Sequence, residues 1–218
     1  MVRRTIVKVC GLTRREDASW ALACGADWLG FVVHGESPRR IEPEDAGRIV
    51  ASVGGGLAVA VMVGVTPAQA LDLATRSHAA RVQLHKVDPA TWPADFPLAC
   101  TFAMGVTPEG RIVGDEPASN HLLLLDTSYG AQAGGTGRTW PWAVARDLCE
   151  RRDVMLAGGL NADNVGEAIR TLHPFGVDAS SSLELSPGIK DPERVRRYVA
   201  AARAPELEHA PDSNAKDS

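Results

Sequence analysis

Apolar and polar positions alternate along this chain in blocks rather than singly. Short runs rich in β-branched and aliphatic residues occur at 5–10 (TIVKVC), 27–33 (DWLGFVV), 58–65 (AVAVMVGV) and 80–85 (ARVQLH). Four more follow at 98–106 (LACTFAMGV), 121–126 (HLLLLD), 154–159 (VMLAGG) and 176–181 (GVDASS). Near-continuous apolar runs of this length read as strands covered on both faces, the pattern of a buried parallel sheet. Helical patterns separate most of them. Ala18, Ala21, Leu22 and Gly25 share one helical face, and Thr13 with Glu16 has the spacing of a capping box. Thr66 and Gln69 repeat that device with Pro67 at the first helical position. Asn161 and Asp191 read as caps for two later helices, the second followed by Pro192. The helical pattern is weakest over 88–95, which Pro93 breaks, and between 107 and 120.

Eight strands alternating with helices, with no Pro/Gly/Ser linker, predict a single-domain α/β fold, a (β/α)₈ barrel over residues 1–203. A doubly wound open sheet is the competing arrangement, and the strand count favours the barrel. The segment 204–218 (APELEHAPDSNAKDS) is polar and predicted to be a disordered tail.

Composition narrows the class. The 218 residues are 44% apolar and 23% charged, with a net charge of −4. This mild acidity argues against a nucleic-acid surface or an anionic membrane partner. No apolar run approaches the roughly 20 residues that span a bilayer, and the N-terminal apolar stretch is too short for a signal peptide. Cys10, Cys24, Cys100 and Cys149 are scattered, with no C-x-x-C pair. Neither a zinc site nor a disulfide framework is expected from that spacing, and the protein reads as cytoplasmic and free of metal.

In such a barrel the chemistry lies at the C-terminal ends of the strands. Those ends deliver Cys10, the 34–39 loop, His85, Asp126, Gly158–Gly159 and Ser180–Ser182 to one face. Asp126 ends a run of four leucines, where desolvation favours a protonated carboxyl; a cap or loop-closing bond is the alternative reading. The glycines of "LAGGLNADN" and the serines of "VDASSSLE" follow the seventh and eighth strands, where barrels commonly hold a phosphate. Tight turns are the plainer explanation for each alone. The glycine stretch "QAGGTGRTW" (132–140) lacks the ending of a P-loop and reads as a lid or substrate loop. "SPRR" puts Arg39 after the second strand, and its planar fork suits a carboxylate or phosphate.

Side-chain parity adds one inference. Residues two apart on a strand share a face, so Lys8 points with Cys10 and Asp178 points with Ser180. The first and eighth strands meet when the barrel closes. Lys8 is therefore expected to pair with Asp178, with Glu184 nearby, and its charge to favour a Cys10 thiolate. A thiolate and a carboxyl across one mouth suit proton shuffling on a sugar phosphate.

The motifs "KVCGLTRREDA", "GADWLGFVV…SPR", "VGV", "VQLH", "LLLLD", "GGTGRTW", "LAGGLNADNV" and "GVDASSSLELSPGIKD", in this order over about residues 6–203, resemble the phosphoribosylanthranilate isomerase family of tryptophan biosynthesis. The resemblance implies a cofactor-free Amadori rearrangement of the small-molecule substrate phosphoribosylanthranilate by a monomer or homodimer. It matches Cys10 to the family's general base and Asp126 to its general acid. It further implies that Arg39 holds the anthranilate carboxylate and that Gly158, Gly159, Ser180 and Ser181 hold the phosphate. His85, Gly135 and Asp178 would line the substrate. Four positions depart from the family pattern: Thr66, Lys86, Gly105 and Ser182. Two rival readings are a sugar-phosphate isomerase of the histidine pathway and a non-catalytic barrel that binds a phosphorylated ligand. The first calls for an aspartate where Cys10 stands, and the second leaves an intact acid–base pair unused.

Overall fold

The computed structural model describes residues 4–54, 57–127 and 140–208. Eight strands run in parallel: β1 (Ile6–Val9), β2 (Trp28–Val32), β3 (Leu57–Val63), β4 (Arg81–His85), β5 (Ala99–Val106), β6 (Leu122–Asp126), β7 (Val154–Leu156) and β8 (Gly176–Ala179). Each pairs with the next, and β8 returns to β1 with Lys8 opposite Asp178. The sheet is therefore a closed barrel and has no free edge to protect.

The alternation of side chains along each strand divides the core in two. Trp28, Val59, Val61, Leu122, Leu124, Met155 and Ala157 fill the barrel interior. Val7, Leu29, Phe31, Leu123, Leu125 and Val177 face outward and pack with the helices. The four leucines before Asp126 thus serve two layers, and all are buried. Each such leucine contributes about 1.5–3 kcal/mol by leaving water.

Among the described residues, six helices cover the outside: α1 (Arg15–Ala23), α2 (Pro43–Val53), α3 (Pro67–Arg76), α4 (Arg146–Arg151), α5 (Val165–Leu172) and α6 (Pro192–Glu208). After β4 and β5 there is no α-helix among the described residues. The first connection holds only a 3₁₀ turn at Pro89–Thr91, because Pro89, Pro93 and Pro97 remove the donors a longer helix needs. The second holds a short arm, Ile112–Val113, folded antiparallel onto Gly105 and Val106.

Cap positions follow the sequence in part. The Thr66–Gln69 capping box forms, and Asp191 Oδ1 accepts from the amides of Glu193 and Arg194 at the start of α6. The expected Thr13–Glu16 box does not form. Thr13 Oγ1 instead donates to the Gly188 carbonyl at 2.6 Å, and the residue preceding α1 is Arg14. Asn164, not Asn161, precedes α5; the Asn161 side chain accepts from Asp163 N one turn earlier. Helix α6 continues to Glu208, beyond the boundary at 203 drawn from the sequence.

Candidate active site

Cys10 follows β1 directly, and its amide donates to the Ala179 carbonyl of β8. The next residue, Gly11, has φ of +72°, where a Cβ would lie 2.6 Å from Arg39 Cδ and 2.7 Å from Ser180 Oγ. Only glycine lets the chain turn there while the Arg39 stem and the Ser180 hydroxyl close over it. Across the β1–β2 pair stands Gly30, whose missing side chain makes the space for the thiol: a Cβ would come 2.7 Å from Cys10 Sγ. The thiol therefore faces the barrel interior at its mouth, as the parity argument requires.

Beneath it, Lys8 is completely buried, and its Nζ donates to Asp178 Oδ2 at 2.7 Å. The expected pair is present. Burial disfavours the Lys8 ammonium, but the adjacent Asp178 carboxylate outweighs that and raises its pKa. Lys8 therefore stays charged. The consequence expected for Cys10 is only half realised. Burial pushes the thiol above its ordinary range, and the pull of Lys8 in the other direction does not cancel it. The resting thiol is protonated, with a cation beneath it to receive the thiolate when it forms.

Glu184 does not join Lys8. It lies in a small hairpin, Glu184–Ser186 with Ile189–Lys190, that follows β8 and is tied at Gly188 to Thr13 in the segment after β1. Its carboxylate accepts two parallel bonds from Arg39, Nε to Oε1 and Nη2 to Oε2, both 2.8 Å. Lys190 Nζ adds a third at 2.8 Å and also reaches the Ser180 carbonyl at 3.1 Å. Arg39 itself is carried by the loop after β2, which the Val32–Arg40 bridge closes and His34 ties to the Val63 carbonyl.

His85 ends β4 with its Nε2 2.9 Å from the Gln83 amide nitrogen. A donating amide there assigns the ring proton to Nδ1. Burial first, and Lys8 second, pull the His85 pKa down to about 4, so the ring is neutral. Lys86 follows with φ of +52°, a left-handed conformation that favours glycine.

Asp126 ends β6 on the same face, three strands around the ring from β1; burial raises the pKa of Asp178 against the pull of Lys8, and the nearness of Asp126 adds to the rise. Gly158 and Gly159, just beyond β7, have φ of +82° and +73°. A Cβ on Gly158 would lie 2.5 Å from the Thr127 amide nitrogen, so this glycine lets the β7 loop pass directly behind Asp126. Trp140, buried, donates its indole N–H to the Ala157 carbonyl beside it. Ser180 and Ser181 open a 3₁₀ turn, Ser181–Leu183, beyond β8. Ser182, the departure from glycine, donates its hydroxyl to the Leu160 carbonyl and joins the two loops after β7 and β8. Gly135 and most of its glycine-rich stretch lie outside the described residues.

The strand ends thus gather Cys10, Arg39, His85, Asp126, Asp178, both glycines and both serines at one mouth. Sequence reasoning missed Lys190, Gln83 and Gly30, and it did not foresee the bonds from Arg39 and Lys190 to Glu184. A glycine inside the β2 run was a legible sign of close approach. Comparison with known proteins decides the lineage. The family model for N-(5'-phosphoribosyl)anthranilate (PRA) isomerase matches residues 7–201. The chain belongs to this family.

A curated family member from Geobacter sulfurreducens, N-(5'-phosphoribosyl)anthranilate isomerase, is 38% identical over 201 residues, 90% of this chain and 98% of the relative. Among solved structures, the phosphoribosyl anthranilate isomerase of Thermus thermophilus superposes with a TM-score of 0.78 at 34% identity, covering 90% of this chain and 98% of the other. A family isomerase in complex with reduced 1-(o-carboxyphenylamino)-1-deoxyribulose 5-phosphate has a TM-score of 0.74 at 31% identity, covering 91% and 98%.

Proposed function

We propose that this chain works as the isomerase its family is named for, a step of tryptophan biosynthesis, with Cys10 and Asp126 as its base and acid. The substrate is N-(5'-phosphoribosyl)anthranilate and the product 1-(2-carboxyphenylamino)-1-deoxyribulose 5-phosphate. Asp126, as the acid, protonates the furanose ring oxygen; the C1–O bond breaks and a C1=N Schiff base forms. Cys10, protonated at rest, first gives its proton to solvent, favoured by the Lys8 cation beneath it, and the thiolate then removes the proton from C2. The electron pair of that C–H bond becomes the C1=C2 bond of an enolamine, and the C=N pair returns to nitrogen. C1 then takes up a proton as the C2 hydroxyl gives up its own, and the C2=O bond of the ketone forms.

In this reading the loops after β7 and β8 anchor the phosphate. Gly158 and Gly159 allow close approach of backbone, and Ser180 and Ser181 begin the turn beyond β8. Arg39 takes the anthranilate carboxylate with the donors Glu184 does not use. Neutral His85 and Asp178 line the sugar, and Gly135 belongs to the loop that covers it. The enzyme is read as cytoplasmic, a monomer or homodimer, and no helix among the described residues is long and apolar enough to cross a membrane.

The observation that carries the reading is the thiol of Cys10, set over a buried Lys8–Asp178 pair at the mouth that also receives Asp126. Burial that raises the thiol pKa makes a stronger base of the thiolate once substrate binding favours proton transfer. Expression of the chain in a tryptophan auxotroph lacking this isomerase tests the reading: growth without tryptophan is expected. Failure to grow despite soluble expression would point to a ligand-binding barrel without catalysis.

A further inference from the structure

Arg39 and Glu184 form the most completely organised ion pair at the mouth, and the mechanism above leaves Glu184 without a task. Its side chain is 4% exposed, against 21% for Arg39. Three cationic donor atoms and the Gly188 amide converge on its two oxygens. Burial alone would raise the Glu184 pKa, yet the bonds from Arg39 and Lys190 hold it below the ordinary carboxylate range. Its own carbonyl accepts from Arg194 Nη1 at 2.6 Å, which fixes the hairpin backbone. Glu184 is therefore a rigid anion presented to a longer, partly exposed side chain.

The effect on Arg39 is geometric. A guanidinium is planar, so two parallel bonds to one carboxylate set the direction of its remaining N–H groups. The Arg39 stem is fixed as well, since it lies over Gly11 in space that a Cβ would fill. Charge balance also matters. Two cations, Arg39 and Lys190, share the one Glu184 carboxylate, so Glu184 does not use all the donors they present.

We infer that Glu184 is a positioning residue for carboxylate recognition: by clamping one edge of Arg39 it aims the other edge at the carboxylate of the substrate's aromatic ring. Resting on the reading in which Arg39 holds that carboxylate, it assigns Glu184 the orientation, not the contact. Preorganising a long side chain removes the cost of ordering it at each binding event.

The test uses two inhibitors that differ in one group: reduced 1-(o-carboxyphenylamino)-1-deoxyribulose 5-phosphate and its phenylamino counterpart without the carboxyl. Inhibition constants are measured on the wild-type enzyme, Glu184→Gln, Arg39→Met and the double variant, with kcat and KM alongside. Glu184→Gln is expected to weaken the carboxylated inhibitor at least tenfold and raise KM similarly. The decarboxylated inhibitor and kcat should change less than threefold. In the Arg39→Met background, Glu184→Gln should add nothing. Equal weakening of both inhibitors would assign Glu184 a general structural role, and unchanged or tighter binding of the carboxylated one would remove any orienting role; each overturns the inference. If Arg39→Met itself fails to distinguish the inhibitors, the assignment of Arg39 falls as well, and this separates the two failures.

Discussion

Gly30 and Cys10 sit opposite one another across the β1–β2 pair, and a single added carbon on the glycine would come 2.7 Å from the sulfur. The same carbon would come 3.1 Å from Lys8 Cε, so the glycine keeps room for both the thiol and the cation under it. No real Cβ contact is that short, and the thiol would have to move. Gly30→Ala should therefore lower kcat at least tenfold by displacing the thiol, while thermal unfolding shifts by only a few degrees. Unchanged kcat in a folded variant would mean that the position of the sulfur is not critical.

The charges around Cys10 predict opposite effects for two neighbouring substitutions. Lys8 lowers the thiol pKa and Asp178 raises it, against a background of burial that raises it further. Alkylation by iodoacetamide requires the thiolate. In the wild type the rate should climb with pH through a midpoint above the ordinary thiol range. Lys8→Met should move that midpoint up, and Asp178→Asn should move it down. Lys8→Met also leaves a buried carboxylate without its partner, at a cost of about 3–5 kcal/mol. The alkylation series therefore needs a check that the variant is folded. Midpoints that move together would refute the electrostatic assignment.

Gly158 lies against Thr127, the residue after Asp126, and so links the proposed phosphate loop to the proposed acid. Its φ of +82° and the 2.5 Å approach of a would-be Cβ to Thr127 N leave no place for a side chain. Gly158→Ala is expected to cost about 1–3 kcal/mol of stability through backbone strain. It should also raise KM and lower kcat together, because the displaced segment carries Asp126. Loss of stability with both kinetic constants intact would separate this turn from the site.

His85 gives the stability curve a definite slope. Its folded pKa of about 4 lies below the ordinary 6.5, so the unfolded chain binds the extra proton in that window. Stability is then fully present above pH 6.5 and falls as pH drops towards 4, by up to about 1.4 kcal/mol per pH unit. Urea unfolding across that range should be flatter for His85→Gln than for the wild type. Identical slopes would show that the ring titrates normally in the fold.

Much of this was legible in the residues because the interior of a barrel is read by parity. "VKVCG" and "GVDASS" place Lys8 against Asp178 once the first and last strands are joined, and the register carries that pairing. The family motifs pointed to the strand ends proposed here as acid, base and anion loops, and the structure brings those strand ends to one mouth. What sequence could not supply was the outcome of competing terms. Burial overrides Lys8 at the thiol, and that balance depends on how deep the sulfur lies. Nor could it place the hairpin after β8, which carries Glu184 to Arg39, 145 positions earlier. The weak helical patterns at 88–95 and 107–120 gave no α-helix for a local reason: Pro89 and Pro93 interrupt the first, and Pro108, Gly110, Gly114 and Pro117 the second.

The division of labour between Cys10 and Asp126 is tested most directly by turnover. The fluorescence of enzymatically generated phosphoribosylanthranilate should be followed in wild type, Cys10→Ala and Asp126→Ala, each at saturating substrate. A positioned acid or base contributes about 10²–10⁴ in rate, so kcat should fall by at least 10² in each variant while the phosphate loops still bind product. Near-normal turnover in either variant would contradict the assignment of that residue.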